Sequence, residues 1–252
     1  MTSGPLENPT SGKWGVTITN LEGQAQQVIE GAMDGSFSPD GTKLAYSMTG
    51  AGLSILDLSS GQTAPVPGTA DGDFNPFWSP DGKQMVFNRG MGIFDLFITN
   101  LDGANMRQLT HGGIQEWPAG WLPDGHLLYV VPDREDEYTI YQVDVQDGSN
   151  QVFSHDNLQS ISPDGKHTIT AESTFGDRWL TYISELDGSN RWLLADAGLW
   201  VMTPIWSPDG QWLLASVSDK DPAETIGALI NLSTCQVIPL PALKGNLLSW
   251  VR

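Results

Sequence analysis

Short apolar runs alternate with polar turns along most of the chain, a pattern typical of β-strands joined by hairpins. The clearest example begins at Phe77-Trp78, where a turn is followed by apolar runs at residues 85–87, 96–100 and 106–110. Each unit of this kind predicts several antiparallel strands. The pattern therefore indicates an all-β protein built from small repeated sheets.

The turns themselves repeat. Ser-Pro-Asp-Gly begins at Ser38, Ser79, Ser162 and Ser207, and Leu-Pro-Asp-Gly begins at Leu122, so the steps are 41, 43, 40 and 45 residues. Proline sets φ at the second turn position, and glycine accepts the positive φ that closes the hairpin. A period in this range, with several strands per unit, predicts the blades of a β-propeller.

The two ends of the chain carry complementary parts of a further unit. Residues 13–30 resemble the second half of a repeat, and residues 247–252 resemble a first strand, because Trp250 lies 44 residues after Trp206. Pairing the N-terminal strands with the C-terminal strand would remove the exposed sheet edges. We therefore expect a six-bladed propeller over 13–252 whose shared blade has as few as three strands. The Gly-, Pro- and Ser-rich segment 1–12 is expected to be a flexible linker or tag.

A family resemblance rests on the run from Leu96 to Thr110 (LFITNLDGANMRQLT) together with the Trp-Ser-Pro-Asp-Gly turns. These motifs resemble the TolB-type propeller repeat, and the resemblance covers roughly residues 13–252. It implies a six-bladed propeller and a periplasmic or cell-surface location. In the family, TolB binds partners of the Tol–Pal envelope system through its propeller, and related propellers gate prolyl-oligopeptidase-like peptidases. The TolB α/β domain and the peptidase hydrolase domain have no counterpart in these residues, so neither activity is carried over.

Composition limits the classes of partner. The 252 residues carry 12 Lys and Arg against 30 Asp and Glu, a formal net charge of −18. This balance argues against nucleic acid and anionic membrane surfaces, which need a basic footprint. The acidity serves solubility or attracts a basic partner. The single cysteine, Cys235, excludes an intrachain disulfide, and no apolar run is long enough for a membrane span. The N-terminus has no secretion-signal pattern, so a cytoplasmic location stays open beside the periplasmic one.

Motifs for catalysis are missing from the sequence. It contains no Gly-x-Ser-x-Gly elbow, no His-Glu-x-x-His and no paired Cys-x-x-Cys. The five turn aspartates occupy one equivalent position and are interpreted as architectural. Of the four histidines, His111 and His155 lie in corresponding interblade loops, where an enzyme would have to place them near the axis. No catalytic residue or protein-bound metal ligand is assigned.

The candidate binding site comes from topology. In a propeller, the second-to-third hairpins and the fourth-to-first connections share one face, here called the loop face. Long loops on a rigid scaffold commonly carry binding residues. The candidates expected to line the entrance of the central channel on this face are Asp34, Asp73, Glu116, Trp117, Asp156 and Trp200. A ring of open carboxylates beside aromatics would suit a cationic group, a peptide amine or a calcium ion; a solvated acidic rim is the simpler interpretation.

These observations lead to one functional hypothesis and two alternatives. The chain is expected to be a monomeric, non-catalytic propeller that binds a protein or peptide, either alone or as part of a longer chain. No cofactor is expected, with calcium at the channel entrance as the exception to examine. The alternatives are an enzyme or peptidase-gating propeller with its site at the channel entrance, and a small-ligand or glycan sensor domain.

Overall fold

A computed structural model describes residues 2–5, 14–132, 138–154, 158–174, 178–194, 200–218, 226–241, 243 and 246–247. These residues form 24 β-strands, which pair antiparallel into six four-stranded sheets. Five of the sheets are blades of four consecutive strands, numbered 1 to 5 here in chain order. The sixth combines strands from both termini and is called the terminal sheet.

The strand bounds follow the repeat. The terminal sheet contains β1 (Thr2–Pro5), β2 (Trp14–Thr19), β3 (Ala25–Glu30) and β24 (Asn246–Leu247). Blade 1 contains β4 (Ala32–Phe37), β5 (Lys43–Met48), β6 (Gly52–Asp57) and β7 (Thr63–Pro65). Blade 2 contains β8 (Asp73–Trp78), β9 (Gln84–Met91), β10 (Ile93–Asn100) and β11 (Arg107–Gln108). Blade 3 contains β12 (Trp117–Trp121), β13 (Leu127–Pro132), β14 (Tyr138–Val143) and β15 (Asn150–Ser154). Blade 4 contains β16 (Leu158–Ile161), β17 (His167–Thr174), β18 (Arg178–Glu185) and β19 (Trp192–Leu193). Blade 5 contains β20 (Trp200–Trp206), β21 (Trp212–Ser218), β22 (Ile226–Asn231) and β23 (Val237–Leu240).

The all-β propeller expected from the repeat is confirmed, but the expected count of six blades, five whole and one shared, is corrected to five blades. Each complete blade contains one Pro-Asp-Gly turn between its first and second strands, so the five turns account for the five blades. The terminal sheet has the order β24-β1-β2-β3 and differs from the blades because its strands are not consecutive. Its strand β1 lies inside the segment 1–12 that the sequence suggests is a linker, so the sheet has four strands rather than three.

The first strand of every blade is irregular. Its pairing with the second strand shifts register at a bulge in all five blades, for example between Ala32 and Gly35 and between Phe74 and Phe77. First strands of consecutive blades also contact one another. For example, β4 contacts β8, and β12 contacts β16. A bulge bends a strand and re-aims its side chains. The first strands therefore form the inner layer of the propeller, where the candidate carboxylates were expected.

The core lies between the blades. Leu44, Tyr46 and Leu56 of blade 1 pack against Val16 of the terminal sheet, and equivalent apolar clusters join each following pair of blades. Leu44 and Val16 are completely buried. Burying one large apolar side chain contributes about 1.5–3 kcal/mol. The interblade clusters therefore supply the main force that holds successive sheets together.

The repeated turn is a hydrogen-bonded unit. Ser38 Oγ donates to Asp40 Oδ1 over 2.6 Å and accepts from the Lys43 amide over 2.9 Å, and the turn at Ser79 repeats both contacts. Gly41 has φ of +70°, a conformation that favours glycine. The turn aspartates are thus engaged in local structure on the face opposite the loop face.

Candidate functional site

Asp34 lies at the bulge of β4 and links two blades. Its Oδ1 accepts a hydrogen bond of 2.6 Å from Ser47 Oγ, and its Oδ2 accepts one of 2.8 Å from the backbone amide of Asn75 on β8. Burial raises the pKa of Asp34 above its usual value, and these hydrogen bonds partly offset that effect. The half-buried carboxylate therefore connects blades 1 and 2.

Asp73, at the start of β8, is 3% exposed and forms a two-point ion pair with Arg89. Arg89 Nε donates to Asp73 Oδ1 over 2.6 Å, and Nη2 donates to Oδ2 over 2.7 Å. The Arg89 guanidinium also lies 4.7 Å from the ring centroid of Phe97. The hydrogen bond to Asp73 raises the pKa of Arg89. Both oxygens of this carboxylate therefore accept hydrogen bonds from Arg89, and the ion pair stabilises the start of blade 2.

Glu116 immediately precedes β12 and is 2% exposed. Its carboxylate accepts a hydrogen bond from the Thr110 hydroxyl, and that same hydroxyl accepts the Leu96 amide over 2.9 Å. Burial, reinforced by the charge of Asp95, raises the pKa of Glu116. Glu116 therefore fastens the connection between blades 2 and 3 to the third strand of blade 2.

Two asparagines join these carboxylates into one network. Asn75 Nδ2 donates to Asn88 Oδ1 over 3.1 Å, and Asn88 Nδ2 donates to the Glu116 carbonyl over 2.5 Å. Because the Asn75 amide also donates to Asp34, the hydrogen bonds run from blade 1 through blade 2 to blade 3. Asn75 has φ of +54°, so a non-glycine residue is held in a left-handed conformation at the centre of this network. We call Asp34, Asn75, Asn88, Thr110 and Glu116 the polar network.

Protein donors engage three of the four carboxylates that the sequence places at the channel entrance. Asp34, Asp73 and Glu116 are all near the starts of first strands, as the sequence suggests, but each is engaged by protein donors. A charged group removed from water is costly unless it is paired or hydrogen-bonded, and the first strands are too closely packed to leave these groups solvated. Beside them, the side chain of Trp117 reaches the surface.

An exposed apolar patch lies above the polar network on the loop face. Trp117 is 40% exposed and packs edge-on against Phe94, with ring centroids 4.7 Å apart, while Phe94 packs edge-on against Phe74 at 5.0 Å. The tip of the β9–β10 hairpin adds Met91, 79% exposed, and Ile93, 59% exposed. We call Phe74, Met91, Ile93, Phe94 and Trp117 the aromatic patch. A hydrogen bond of 3.1 Å from Gln115 Nε2 to the Gly92 carbonyl joins the β9–β10 hairpin to the connection before β12.

The remaining candidates do not join this cluster among the described residues. Asp156 and His155 lie outside the described residues, and so does the side chain of Trp200, whose backbone begins β20. His111 is exposed on the connection after β11. Within the described ranges, no group of three or more His, Cys, Asp or Glu side chains is arranged to hold a metal ion. The described part of the chain also contains no helix long and apolar enough to span a membrane.

The sequence indicated Trp117 but not most of the assembled site. Asn88 is completely buried at the end of the apolar run Met85-Val86-Phe87, and a polar residue in that position was the available signal. Phe94, Met91 and Ile93 looked like ordinary hairpin residues. Only the contact between Phe94 and Trp117, from different blades, shows that they share a surface.

A family model described as the TolB beta propeller domain matches residues 7–181. The chain belongs to the TolB β-propeller family. The match spans more than half of the chain, including the strands that carry the polar network and the aromatic patch.

Two related sequences and one solved structure illustrate the similarity. YuxL of Bacillus subtilis (strain 168), an uncharacterised peptidase, is 27% identical over 213 residues, covering 77% of this chain and 31% of YuxL. Atu1656 of Agrobacterium fabrum, an uncharacterised protein, is 28% identical over 195 residues, covering 70% of this chain and 67% of Atu1656. The crystal structure of TolB from Acinetobacter baumannii matches with a TM-score of 0.71 at 20% identity, over 95% of this chain and 63% of that TolB. This chain thus spans less than two thirds of YuxL and of the solved TolB, and the structural likeness concerns the fold.

Proposed function

We propose that this TolB-family propeller is a non-catalytic module that binds a protein or peptide through the loop face. The observation that carries the proposal is the aromatic patch, in which Trp117 is 40% exposed over Phe94 and Phe74. Tryptophan is enriched at interface positions that contribute most to binding. The patch is supported from below by the hydrogen-bonded polar network, which keeps it rigid before a partner arrives.

The preferred partner is a segment with an apolar anchor and basic neighbours. Asp71 is exposed and lies next to Gly72, beside the exposed Met91. The formal net charge of −18 gives the whole surface a negative field, which favours a basic partner and raises its association rate. Asp34, Asp73 and Glu116 support the site from within, while Asp156 and Trp200 are proposed to extend it.

Selection from a random peptide library displayed on phage tests the proposal. The wild-type protein should enrich sequences that combine aromatic or aliphatic residues with Lys or Arg. Trp117→Ser should weaken binding of a selected synthetic peptide by about tenfold or more, as expected for an anchor residue.

Trp192→Ser is the matched control, because Trp192 is also 40% exposed but lies on β19 at the outer edge of blade 4. Binding that survives Trp192→Ser and is lost in Trp117→Ser supports the aromatic patch. Equal binding by the two variants, or no enriched sequence with folded wild-type protein, would contradict it.

A second candidate function is that of a gating propeller attached to a peptidase. It is favoured by the similarity to YuxL, a peptidase of which this chain matches 31%. Purification of the native protein from its source, followed by intact-mass measurement and a peptidase assay, distinguishes the two functions. A larger species with peptidase activity favours gating, whereas an inactive species favours the binding module.

We also infer that the terminal sheet closes the ring between blade 5 and blade 1. The pairing of β1 with β24 places Ser3 opposite Asn246, which supports closure between the two ends of the chain. Ser3→Cys with Asn246→Cys, in a Cys235→Ser background, should crosslink on oxidation and raise the melting temperature. The pair Ser3→Cys with Asn20→Cys serves as the control, and equal crosslinking of the two pairs would contradict closure.

The family membership also supports a proposed location in the periplasm or at the cell surface. Fractionation of the source organism with an antibody against the propeller tests it. Recovery in the cytoplasmic fraction alone would contradict this location without affecting the proposed binding site.

A further inference from the structure

Blade 4 departs from the repeat at the surface that faces blade 3. Strand β17 carries Thr168 and Thr170, and Ser184 on β18 lies opposite Thr168. Thr168 pairs with the last residue of the first strand, and the residues with that pairing in the other blades are Leu44, Met85, Leu127 and Leu213. The residues equivalent to Thr170 are Tyr46, Phe87, Tyr129 and Ala215. Among the complete blades, blade 4 alone therefore has hydroxyl side chains at both of these positions of its second strand.

A crevice of about 400 Å³ lies at this same interface. One wall is formed by Thr168, Thr170 and Ser184 of blade 4, and the other includes Ile140 and Phe153 of blade 3. The volume lies at the lower end of the range of about 300–1,000 Å³ that small-ligand sites occupy. The unusual hydroxyls and the crevice thus coincide at one of the interblade interfaces.

The polar wall offers hydrogen-bonding capacity in a nearly buried place. Thr168 Oγ1 and Ser184 Oγ lie 3.0 Å apart and hydrogen-bond to each other, which leaves acceptor capacity on both oxygens. The hydroxyl of Thr170, a residue only 9% exposed, has no hydrogen bond among the described residues. Polar groups at such depth are usually satisfied by a protein group, water or a ligand.

Apolar side chains from both blades complete the lining, and its cation is already paired. Phe153 of blade 3 and Leu158 and Leu186 of blade 4 supply apolar surface, while Ser154 and Asp187 add polar groups. Arg191 also lines the crevice, but its guanidinium stacks 3.8 Å from the Tyr182 ring centroid and pairs with Glu172 over 2.6 Å. An anionic ligand would have to displace that carboxylate, and a wholly apolar ligand would leave the Thr170 hydroxyl without a partner.

From these features we propose that the crevice between blades 3 and 4 binds a small, uncharged cyclic polyol of monosaccharide size. Its hydroxyls would hydrogen-bond to Thr168, Thr170 and Ser184, and the C–H face of its ring would pack against Phe153. None of these residues belongs to the polar network or the aromatic patch. The site is thus separate from the proposed peptide-binding surface, and its ligand can be tested independently.

Saturation-transfer NMR with glucose, galactose, N-acetylglucosamine and myo-inositol tests the proposal. At least one probe should receive saturation from the wild-type protein through its ring protons. Replacing Thr168 and Thr170 together by valine keeps the side-chain shape and removes two hydroxyls. The affinity of the responding probe should fall by about tenfold or more, as expected when hydrogen bonds to a ligand are lost.

Thr181→Val is the control, because Thr181 is on β18 and 4% exposed, but its hydroxyl donates to the Val201 carbonyl toward blade 5. Binding should survive in this variant, with circular dichroism showing that every variant is folded. No transfer to any of the four probes would mean that the crevice holds only water and would overturn the proposal. Equal binding by the double variant would overturn it as well, by placing the sugar elsewhere.

Discussion

The backbone amide of Asn75 donates a hydrogen bond of 2.8 Å to Oδ2 of Asp34, 41 residues earlier in the chain. The contact joins the first strands of blades 1 and 2 at the inner layer of the propeller. Because both strands are bulged there, neither amide nor carboxylate is part of an ordinary strand ladder. A side chain thus replaces the regular pairing that the bulge removes.

Removing the Asp34 carboxylate should destabilise the fold. Asp34→Ala leaves the Asn75 amide and the buried Ser47 hydroxyl without their acceptor, which should lower the free energy of unfolding by about 1–3 kcal/mol. Asp34→Asn should cost less, since its amide oxygen can accept from Asn75 while its nitrogen donates to Ser47. Urea unfolding at pH 7 followed by circular dichroism measures both values. A larger loss in Asp34→Asn than in Asp34→Ala would contradict this account.

A comparison of the wild type with Asp34→Asn also tests how burial changes the pKa of Asp34. Because the pKa of Asp34 is raised in the folded state, the folded protein holds a proton that the unfolded chain releases near pH 3.8. The associated stability is present at lower pH and is lost as pH rises through the raised pKa. Asp34→Asn should show less of this decline when unfolding is measured in steps upward from pH 4.

The repeated turns predict the opposite dependence on pH. The hydrogen bond from Ser38, with those from Thr42, lowers the pKa of Asp40 to about 2. Stability from this group is fully present above pH 3.8 and is lost as pH falls toward 2. Asp40→Asn should therefore lose less stability than the wild type between pH 4 and pH 2. A decline in Asp40→Asn as steep as that of the wild type would contradict this account.

Replacing Arg89 should lower the free energy of unfolding more than replacing an exposed cation. Asp73 is 3% exposed, so Arg89→Met leaves a buried carboxylate without its ion pair. Breaking a buried pair in this way should lower the free energy of unfolding by about 3 kcal/mol. Adding Asp73→Asn to Arg89→Met should recover part of the loss, as measured by urea unfolding. A double variant less stable than Arg89→Met would show that the missing charge partner is not the cause.

Replacing the tryptophans that precede the turns should destabilise the fold to different extents, although these tryptophans have matching sequence contexts. Trp78 Nε1 donates to the Ser36 carbonyl over 3.0 Å and so joins blades 1 and 2. Trp121 Nε1 is buried and has no hydrogen-bond partner among the described residues. Trp78→Phe should therefore lose about 1 kcal/mol more stability than Trp121→Phe. Melting temperatures of the two variants measure the difference, and equal losses would show that ring volume dominates.

The local features of the fold were predictable because they depend on residues close together in the chain. Ser38, Asp40 and Gly41 complete their turn through contacts within five residues, and the repeated pattern also predicted the strands that follow. The family and the all-β architecture followed from that repetition. The strand content and order of the terminal sheet did not, because they depend on pairing between the two ends of the chain.

The sequence by itself determined the repeat, the turns and the acidity. It also determined that Asp34, Asp73 and Glu116 lie near the beginnings of first strands. Only the tertiary structure decided that these carboxylates are engaged by protein donors, and that the exposed Trp117 packs on the buried Phe94. The physical reason is that burial and partner choice arise between blades, from residues far apart in the chain. From the sequence alone, a carboxylate in a polar loop is expected to be solvated. Its hydrogen-bond partners lie beside it only after the first strands have packed around the axis.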